Sequence, residues 1–326
     1  MINIDIVGIG KALPNNEVTS LSMDRKLGLV DGRIEKVTGL KQRYFINETS
    51  TALDMMYRAI EEALKDAKME IDDIDCIINS SATMYQALPF NGATTVKLLQ
   101  PSKPIASFDI NMTCLSTLRA FDVASNLFGA YKNILIVSCD VPSIALDWSD
   151  IRTAGIFGDG AAALVVSKST QGGILVSNFE THTDGFDHCQ VRGYGSTCNP
   201  HNYEGDYKET SYFEMNGKKL YKLSSTLLPS FVNDTLASKS LCIEDIDWVV
   251  LHQASQASLD HIVKILKFDR EKLIDIFATH GNQVASSIPT ALHALLRTKD
   301  VKSGDKVLIL GTSAGLGLGL VVWEVP

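Results

Sequence analysis

The sequence predicts an α/β protein made of two copies of one layered unit, each with a mostly parallel sheet. Three observations carry this. First, short continuous apolar runs recur: IDCIINSS (74–81), NILIVSCD (133–140), IDWVVL (246–251) and DKVLILGT (305–312). Runs of that length without polar alternation are typical of strands buried on both faces. Second, amphipathic helical segments alternate with them, the order of an α/β layered fold. Third, the chain repeats itself. IEDIDWVVLHQ (243–253) echoes IDDIDCIINSS (71–81), with Asp247 minus Asp75 giving an offset of 172. The same offset lays 305–312 on 133–140 and Ser286 on Cys114. Separated segments in one order at one spacing indicate internal duplication. The halves are residues 1–170 and 171–326, joined without a low-complexity linker, so they are expected to pack as one body with equivalent turns facing across a pseudo-twofold axis.

Taken in order, Ile2 to Gly8 reads as a strand, followed by the loop GKALPNNEVTS and a charged segment from Asp24 to Tyr44. A helix is expected over Thr51 to Lys68. Leu53, Met56, Ile60, Ala63 and Leu64 share a face, and Thr51 with Asp54 resembles a capping box. The run 74–81 is a buried strand, and 92–99 a helix. Phe108 to Ile110 ends a strand, and helical spacing then runs through Leu115, Leu118, Phe121, Ala124 and Leu127 or Phe128. Asn111 or Thr113 can cap that helix. Residues 133–140 form another buried strand. A polar loop around Trp148 leads to 155–169, which closes the first half, and 173–185 reopens the pattern.

Composition narrows the functional class. The chain has 326 residues, 45% hydrophobic and 21% charged, enough for a sizeable core. A net charge of −8 argues against a general nucleic-acid or membrane-surface binder. MINIDIVGIG has no basic n-region, and Asp5 interrupts its apolar run, so it reads as a strand rather than a signal peptide. No apolar run of about 18 residues occurs, so no membrane span is expected. Six cysteines at irregular positions suggest reduced thiols and a cytoplasmic location.

Cys114 falls at the strand-to-helix turn, where unpaired N–H groups and the helix dipole favour a thiolate; such placement can lower a thiol from about 8.5 towards neutrality. His252 directly follows a strand, at the carboxyl end where ligands collect in parallel sheets. Asn282, in HGNQVASS, precedes the helix equivalent to the one after Cys114. Duplication brings the three towards one centre. A Cys nucleophile with His and Asn suits acyl chemistry: the thiolate takes an acyl group as a thioester, and His and Asn donate to an oxygen developing negative charge. Taken singly, His252 would more often be a structural histidine and Asn282 a helix cap.

These residues resemble the ketoacyl synthase III enzymes of the thiolase superfamily. The resemblance rests on the Cys114 turn, IFGDGAAA (156–163), FEMNGKKLYK (213–222), LHQAS (251–255), HGNQVASSIP (280–289) and GTSAGLGLG (311–319), and it spans essentially the whole chain. It implies the thiolase fold, a five-layered α-β-α-β-α arrangement, with Cys114, His252 and Asn282 as catalytic residues. The backbone N–H groups of Cys114 and Ala314 would form an oxyanion hole, and Leu88, Gly217 and Ser255 would line the acyl and substrate pocket. The implied reaction is a decarboxylative Claisen condensation: an acyl group from a CoA or carrier-protein thioester joins a malonyl-type thioester through an acyl-Cys intermediate. No metal or cofactor is implied. The implied assembly is a homodimer paired through the strand near 106–111, with residues 84–89 reaching the partner's pocket. Arg33 and Val37 stand where the housekeeping members grip the CoA adenine with a Trp and an Arg. Ala257 stands where they carry a basic residue for the carrier protein, which points to a specialised role.

Other readings were weighed on the residues. Acyl transfer to a non-malonyl acceptor, or a non-catalytic subunit of a heterodimeric synthase, are the alternatives within the same fold. His182, His188, Cys189, Cys198 and His201 lack the spacing of a standard zinc pair. Gly311-Thr-Ser-Ala-Gly315 fits a hydrolase nucleophile elbow, but no His follows Ser313. Gly8-Ile-Gly10 lacks the third Gly of a dinucleotide fingerprint.

Overall fold

The computed structural model describes residues 2–326. Two five-stranded sheets dominate it. The first runs, in spatial order, Asp5–Ala12, Gly160–Ser167, Asn133–Asp140, Cys76–Asn79, Ala106–Asp109. The second runs Gly173–Thr181, Gly317–Glu324, Lys306–Ser313, Trp248–Leu251, Leu273–Ile274. Each sheet uses its strands in the same chain order, first-fifth-fourth-second-third, so the repeat in the sequence is a repeat of topology.

The sheets are mixed, not mostly parallel. In each, the fourth, second and third strands pair in parallel, while the first and fifth pair antiparallel. In the second sheet the cause is direct. Lys306–Ser313 returns as Gly317–Glu324 through Ala314, Gly315 and Leu316, and so short a connection permits only antiparallel pairing. Gly315 and Leu316 take left-handed backbone in that loop, with φ of +76° and +52°.

Strand parity sorts side chains into three cores. Cys76, Ile78, Ile134 and Ile136 face a central core with Val250, Val307 and Ile309 from the other half. That core also holds the helix Ser116–Ser125, through Leu118 and Phe121, and the helix Ser287–Thr298, through Ile288 and Leu292. Ile77, Leu135 and Val137 face outward onto the helix Ala52–Ala67. Val249, Leu251, Leu308 and Leu310 face the opposite outer layer, with the helices Gly217–Ala237 and Gln256–Leu266. The layers therefore read α-β-α-β-α, as expected. Burial on both faces explains why these strands look uniformly apolar in sequence.

Helix Ala52–Ala67 begins with the expected reciprocal cap: Asp54 N donates to Thr51 Oγ1 at 3.2 Å, and Thr51 N to Asp54 Oδ2 at 3.1 Å. The opening strand lies later than expected, at Asp5–Ala12 rather than 2–8, because its ladder to Gly160–Ser167 extends as far as Ala12 opposite Ala161. Gly8 and Gly10 thus sit inside a strand beneath that helix. A Cβ on Gly10 would lie 2.2 Å from the Ala59 carbonyl oxygen, and one on Gly8 2.3 Å from that of Ala63. The pair that resembled a fragment of a dinucleotide motif is there for close helix-on-strand packing. Gly10→Ala should therefore lower stability by about 1–3 kcal/mol, the usual cost of overpacking, read as a lower denaturant midpoint at an unchanged slope.

Candidate active site

The strand Ala106–Asp109 leads into a tight turn before the helix Ser116–Ser125. Asn111 Oδ1 accepts from Thr113 N at 2.9 Å, and Ser116 Oγ accepts from Met112 N at 2.8 Å. Thr113 takes a left-handed φ of 49°, a conformation costly for a β-branched residue and held only by surrounding structure. Cys114 sits in the 3-10 turn Thr113–Leu115, just before the helix. Asn111 caps this turn rather than the helix, whose own N-cap, Leu115, makes no side-chain bond.

The second half repeats the device. Asn282 Oδ1 accepts from Val284 N at 2.9 Å, Ser287 Oγ accepts from Gln283 N at 2.9 Å, and Val284 has φ 52°. A 3-10 turn, Val284–Ser286, precedes the helix Ser287–Thr298. The correspondence is Asn111 to Asn282 and Thr113 to Val284, an offset of 171. Ala285, not Ser286, is therefore the counterpart of Cys114. The offset also moves to 173 at Asn133 and Lys306, which begin equivalent strands. Single-residue length changes in the loops displace the register that one constant offset had implied.

The two turns touch. Thr117 Oγ1 donates to the Ala285 carbonyl at 3.1 Å, and Ser138 Oγ meets Ser286 Oγ at 2.9 Å. His252 follows the strand Trp248–Leu251 and donates its backbone N–H to Leu310 O at 2.9 Å. A Cβ on Gly311 would lie 2.9 Å from both His252 Cβ and Leu115 Cδ2, so the bare glycine lets the histidine approach the residue after Cys114. Asn282 Nδ2 reaches Ala254 O at 3.5 Å, two residues beyond His252. The hairpin loop carrying Ala314 leans over the same turn, where a Cβ on Gly317 would lie 3.1 Å from Met112 Cε. The structure thus gathers Cys114, His252, Asn282 and Ala314 around the meeting point of the two turns.

Electrostatics there departs from one expectation. The Cys114 thiol is pushed up to about 12, not down, first by burial and then by Cys189 and Asp140 nearby. The backbone N–H groups of Ala314 and Cys114 oppose this without reversing it. A half-buried sulfur loses more from desolvation than the helix end returns. Burial also lowers His252 to about 4, so its imidazole is neutral at physiological pH. Its Nδ1 is buried without a hydrogen-bond partner.

The remaining expected positions lie further out. Leu88 is 84% exposed, in a run with exposed Met84, Tyr85 and Phe90. Gly217 is exposed at the start of its helix. Ser255 Oγ accepts from Ser258 N at 3.1 Å, capping the helix Gln256–Leu266. Sequence reasoning missed Phe157, which bridges to Asn282 and packs edge-on against Phe213 with centroids 4.8 Å apart. It also placed Cys189 only among zinc candidates. Cys189 lies in a two-stranded ribbon with Glu214–Met215, close enough to Cys114 to affect its charge.

Comparison with known proteins settles the family. The 3-oxoacyl-[acyl-carrier-protein] synthase III family matches residues 108–185, and its C-terminal family residues 236–325. The beta-ketoacyl-[acyl-carrier-protein] synthase III of Acaryochloris marina is 31% identical over 324 residues, 98% of this chain and 96% of that protein. The chain belongs to the ketoacyl synthase III family. The enzyme of the same name from Neisseria gonorrhoeae is 30% identical, covering 98% of each chain. The crystal structure of the Aquifex aeolicus 3-oxoacyl-[acyl-carrier-protein] synthase III superposes with a TM-score of 0.88 at 27% identity, covering 98% of this chain and 99% of that one. Xanthomonas campestris OleA shares the fold, with a TM-score of 0.86 at 21% identity over 99% of this chain and 98% of that one. This ketoacyl synthase III-type protein is accordingly a condensing acyltransferase with the thiolase fold.

A thiol raised to about 12 is almost wholly protonated at pH 7. Alkylation of Cys114 by iodoacetamide, followed by peptide mapping, should climb about tenfold per pH unit from 7 to 10 with no plateau. A plateau below pH 9 would show that the thiolate is stabilised in the resting enzyme.

Proposed function

We propose that the protein condenses an acyl thioester with a malonyl-type thioester, and that Cys114, His252 and Asn282 carry the reaction. The observation that supports this most is the contact between the two duplicated turns, one bearing the sulfur and the other the carboxamide, with His252 beside both.

In the first step Cys114 Sγ attacks the acyl thioester carbon. The S–H proton leaves as the new C–S bond forms, since the free thiolate is costly here, and the expelled CoA or carrier thiolate is protonated. The tetrahedral oxygen accepts from the N–H groups of Cys114 and Ala314, each such donor contributing on the order of 3 kcal/mol. In the second step the malonyl-type thioester loses CO2, and the electron pair passes to its thioester oxygen as an enolate. A neutral His252 N–H and Asn282 Nδ2 donate to that oxygen. Asn282 is oriented for this, because Val284 N–H occupies its Oδ1, and of the two N–H bonds of its NH2 group only one is directed at Ala254 O. The enolate carbon attacks the acyl-Cys carbonyl, the C–S bond breaks, the sulfur regains a proton, and a β-ketoacyl thioester departs. The neutral imidazole keeps one ring N–H, which is the donor this step uses.

Residues 1–170 and 171–326 are the two halves of this proposal, one supplying the nucleophile and the other the enolate-binding pair. The working form is a cytoplasmic homodimer. The exposed Met84, Tyr85, Leu88 and Phe90, beside the edge strand Ala106–Asp109, form the apolar surface that a second copy would cover, with Leu88, Gly217 and Ser255 around the acyl pocket.

Intact-protein mass spectrometry after exposure to a panel of acyl-CoA and acyl-carrier donors tests the chemistry. A single acyl adduct should form and vanish in Cys114→Ala. His252→Ala and Asn282→Ala should keep the adduct while losing condensation by about a hundredfold or more. Absence of any adduct from the whole panel would overturn the reading. The assembly is checked separately: light scattering should give twice the 35.6 kDa chain mass, and Leu88→Asp should shift the population towards monomer.

A further inference from the structure

The carboxylate of Asp140 enters above only as a charge that helps to raise the Cys114 thiol, yet its hydrogen bonds lead elsewhere. Asp140 ends the strand Asn133–Asp140 and is fully buried. Its Oδ1 accepts from Ala82 N at 2.9 Å, Thr83 N at 2.9 Å and Thr83 Oγ1 at 3.2 Å. Its Oδ2 accepts from Ser286 N at 3.1 Å and Ser286 Oγ at 3.0 Å. One oxygen therefore holds the root of the apolar loop that carries Met84, Tyr85 and Leu88. The other holds the last residue of the turn Val284–Ser286, across the junction between the halves. That turn fixes Asn282 through Val284 N–H and braces the nucleophile helix through Ala285 O and Thr117 Oγ1.

A carboxylate suits this place because it only accepts, and every group facing it donates. Its burial is costly, and burial raises its pKa to about 6 even with these donors, so it is ionised at the pH where the enzyme would work. A structure that needed only to fill the space could use an apolar residue. Five donated hydrogen bonds, shared between two segments that meet nowhere else in sequence, mark a group that sets their relative position.

We propose that Asp140 is the positioning residue for Asn282, fixing its carboxamide through the turn Val284–Ser286 and tying that turn to the loop that projects as Met84–Phe90. The proposal rests on the reading of Asn282 as a donor to the enolate. It assigns Asp140 to the condensation step rather than to the loading of Cys114, because its bonds run to the Asn282 turn, while its charge raises the thiol and so opposes loading.

Asp140→Asn keeps the size but turns an NH2 towards one set of donors. It should lower kcat for condensation, and CO2 release from malonyl-CoA, about tenfold or more, with KM within about twofold and acylation of Cys114 not slowed, since the lost charge was one that raised the thiol. Ser286→Ala removes one donor and should give the same split more weakly. The double variant should lose no more than Asp140→Asn alone, because both act through one contact. Equal losses in acylation and condensation, or losses that multiply in the double variant, would overturn the assignment. If Asp140→Asn does not fold, Ser286→Ala alone decides: unchanged condensation overturns the proposal, and a selective loss supports it. A wild-type enzyme that loads Cys114 but never releases CO2 overturns the condensation reading itself. A working wild type with an unimpaired Asp140→Asn overturns only the role of Asp140.

Discussion

The architecture depends on a confined central layer. The helices Ser116–Ser125 and Ser287–Thr298 lie between two sheets, so their apolar faces are packed against sheet and against each other. The first turn of the former bonds the 3-10 turn that leads into the latter, through Thr117 and Ala285. A helix with sheet above and below has little freedom to slide, since its apolar ridges are held on both sides. The position of the sulfur relative to the carboxamide is therefore set by the core, not by loops. The strand ends that bring His252 and the Ala314 hairpin belong to the same second sheet, so they are placed with equal rigidity.

Duplication supplied a matched pair of turns, and function arose by making them unequal. Asn111 and Asn282 do the same local work, each accepting the N–H of the residue two positions on. Thr113 and Val284 carry the same left-handed strain. Yet Asn111 is exposed while Asn282 is buried, and Ala285 takes the place in the second turn that Cys114 has in the first. One turn thus carries a thiol and the other a buried carboxamide, with little change in backbone. Burial then acts on both partners in one sense: it raises the thiol and lowers the imidazole, so both are uncharged at rest. The low dielectric that makes a free thiolate costly also strengthens every N–H aimed at a developing oxyanion.

Most of this was legible in the sequence because it is written in local pattern. Uniform apolar runs marked strands buried on both faces, and Thr51 with Asp54 marked a helix start. The turn before an amphipathic helix located Cys114. What escaped was whatever depends on spatial neighbours. Parallel and antiparallel pairing of the outer strands cannot be told from runs that are apolar throughout. A single offset hid one-residue changes in loop length and put Ser286 where Ala285 belongs. The direction of the thiol shift turned on desolvation and on Cys189, distant in sequence. The role of Asp140 is not visible in its own run, because nothing near it in sequence shows that Ala82, Thr83 and Ser286 converge on it.

The same distinction explains why the loop 82–90 can be apolar, exposed and still well placed. Its root is held by Asp140, and its far end by Asp109, whose carboxylate accepts from Asn91 N at 2.8 Å and Gly92 N at 2.6 Å. Asn91 in turn accepts from Tyr85 N at 3.0 Å and donates to Thr83 O at 3.2 Å. Asp109 closes the edge strand that, five residues later, reaches Cys114. Fixed at both ends, the loop holds Met84, Tyr85 and Leu88 out from the surface with its backbone entropy already spent. The projecting loop, the sheet edge and the turn bearing Cys114 are therefore one connected piece of structure.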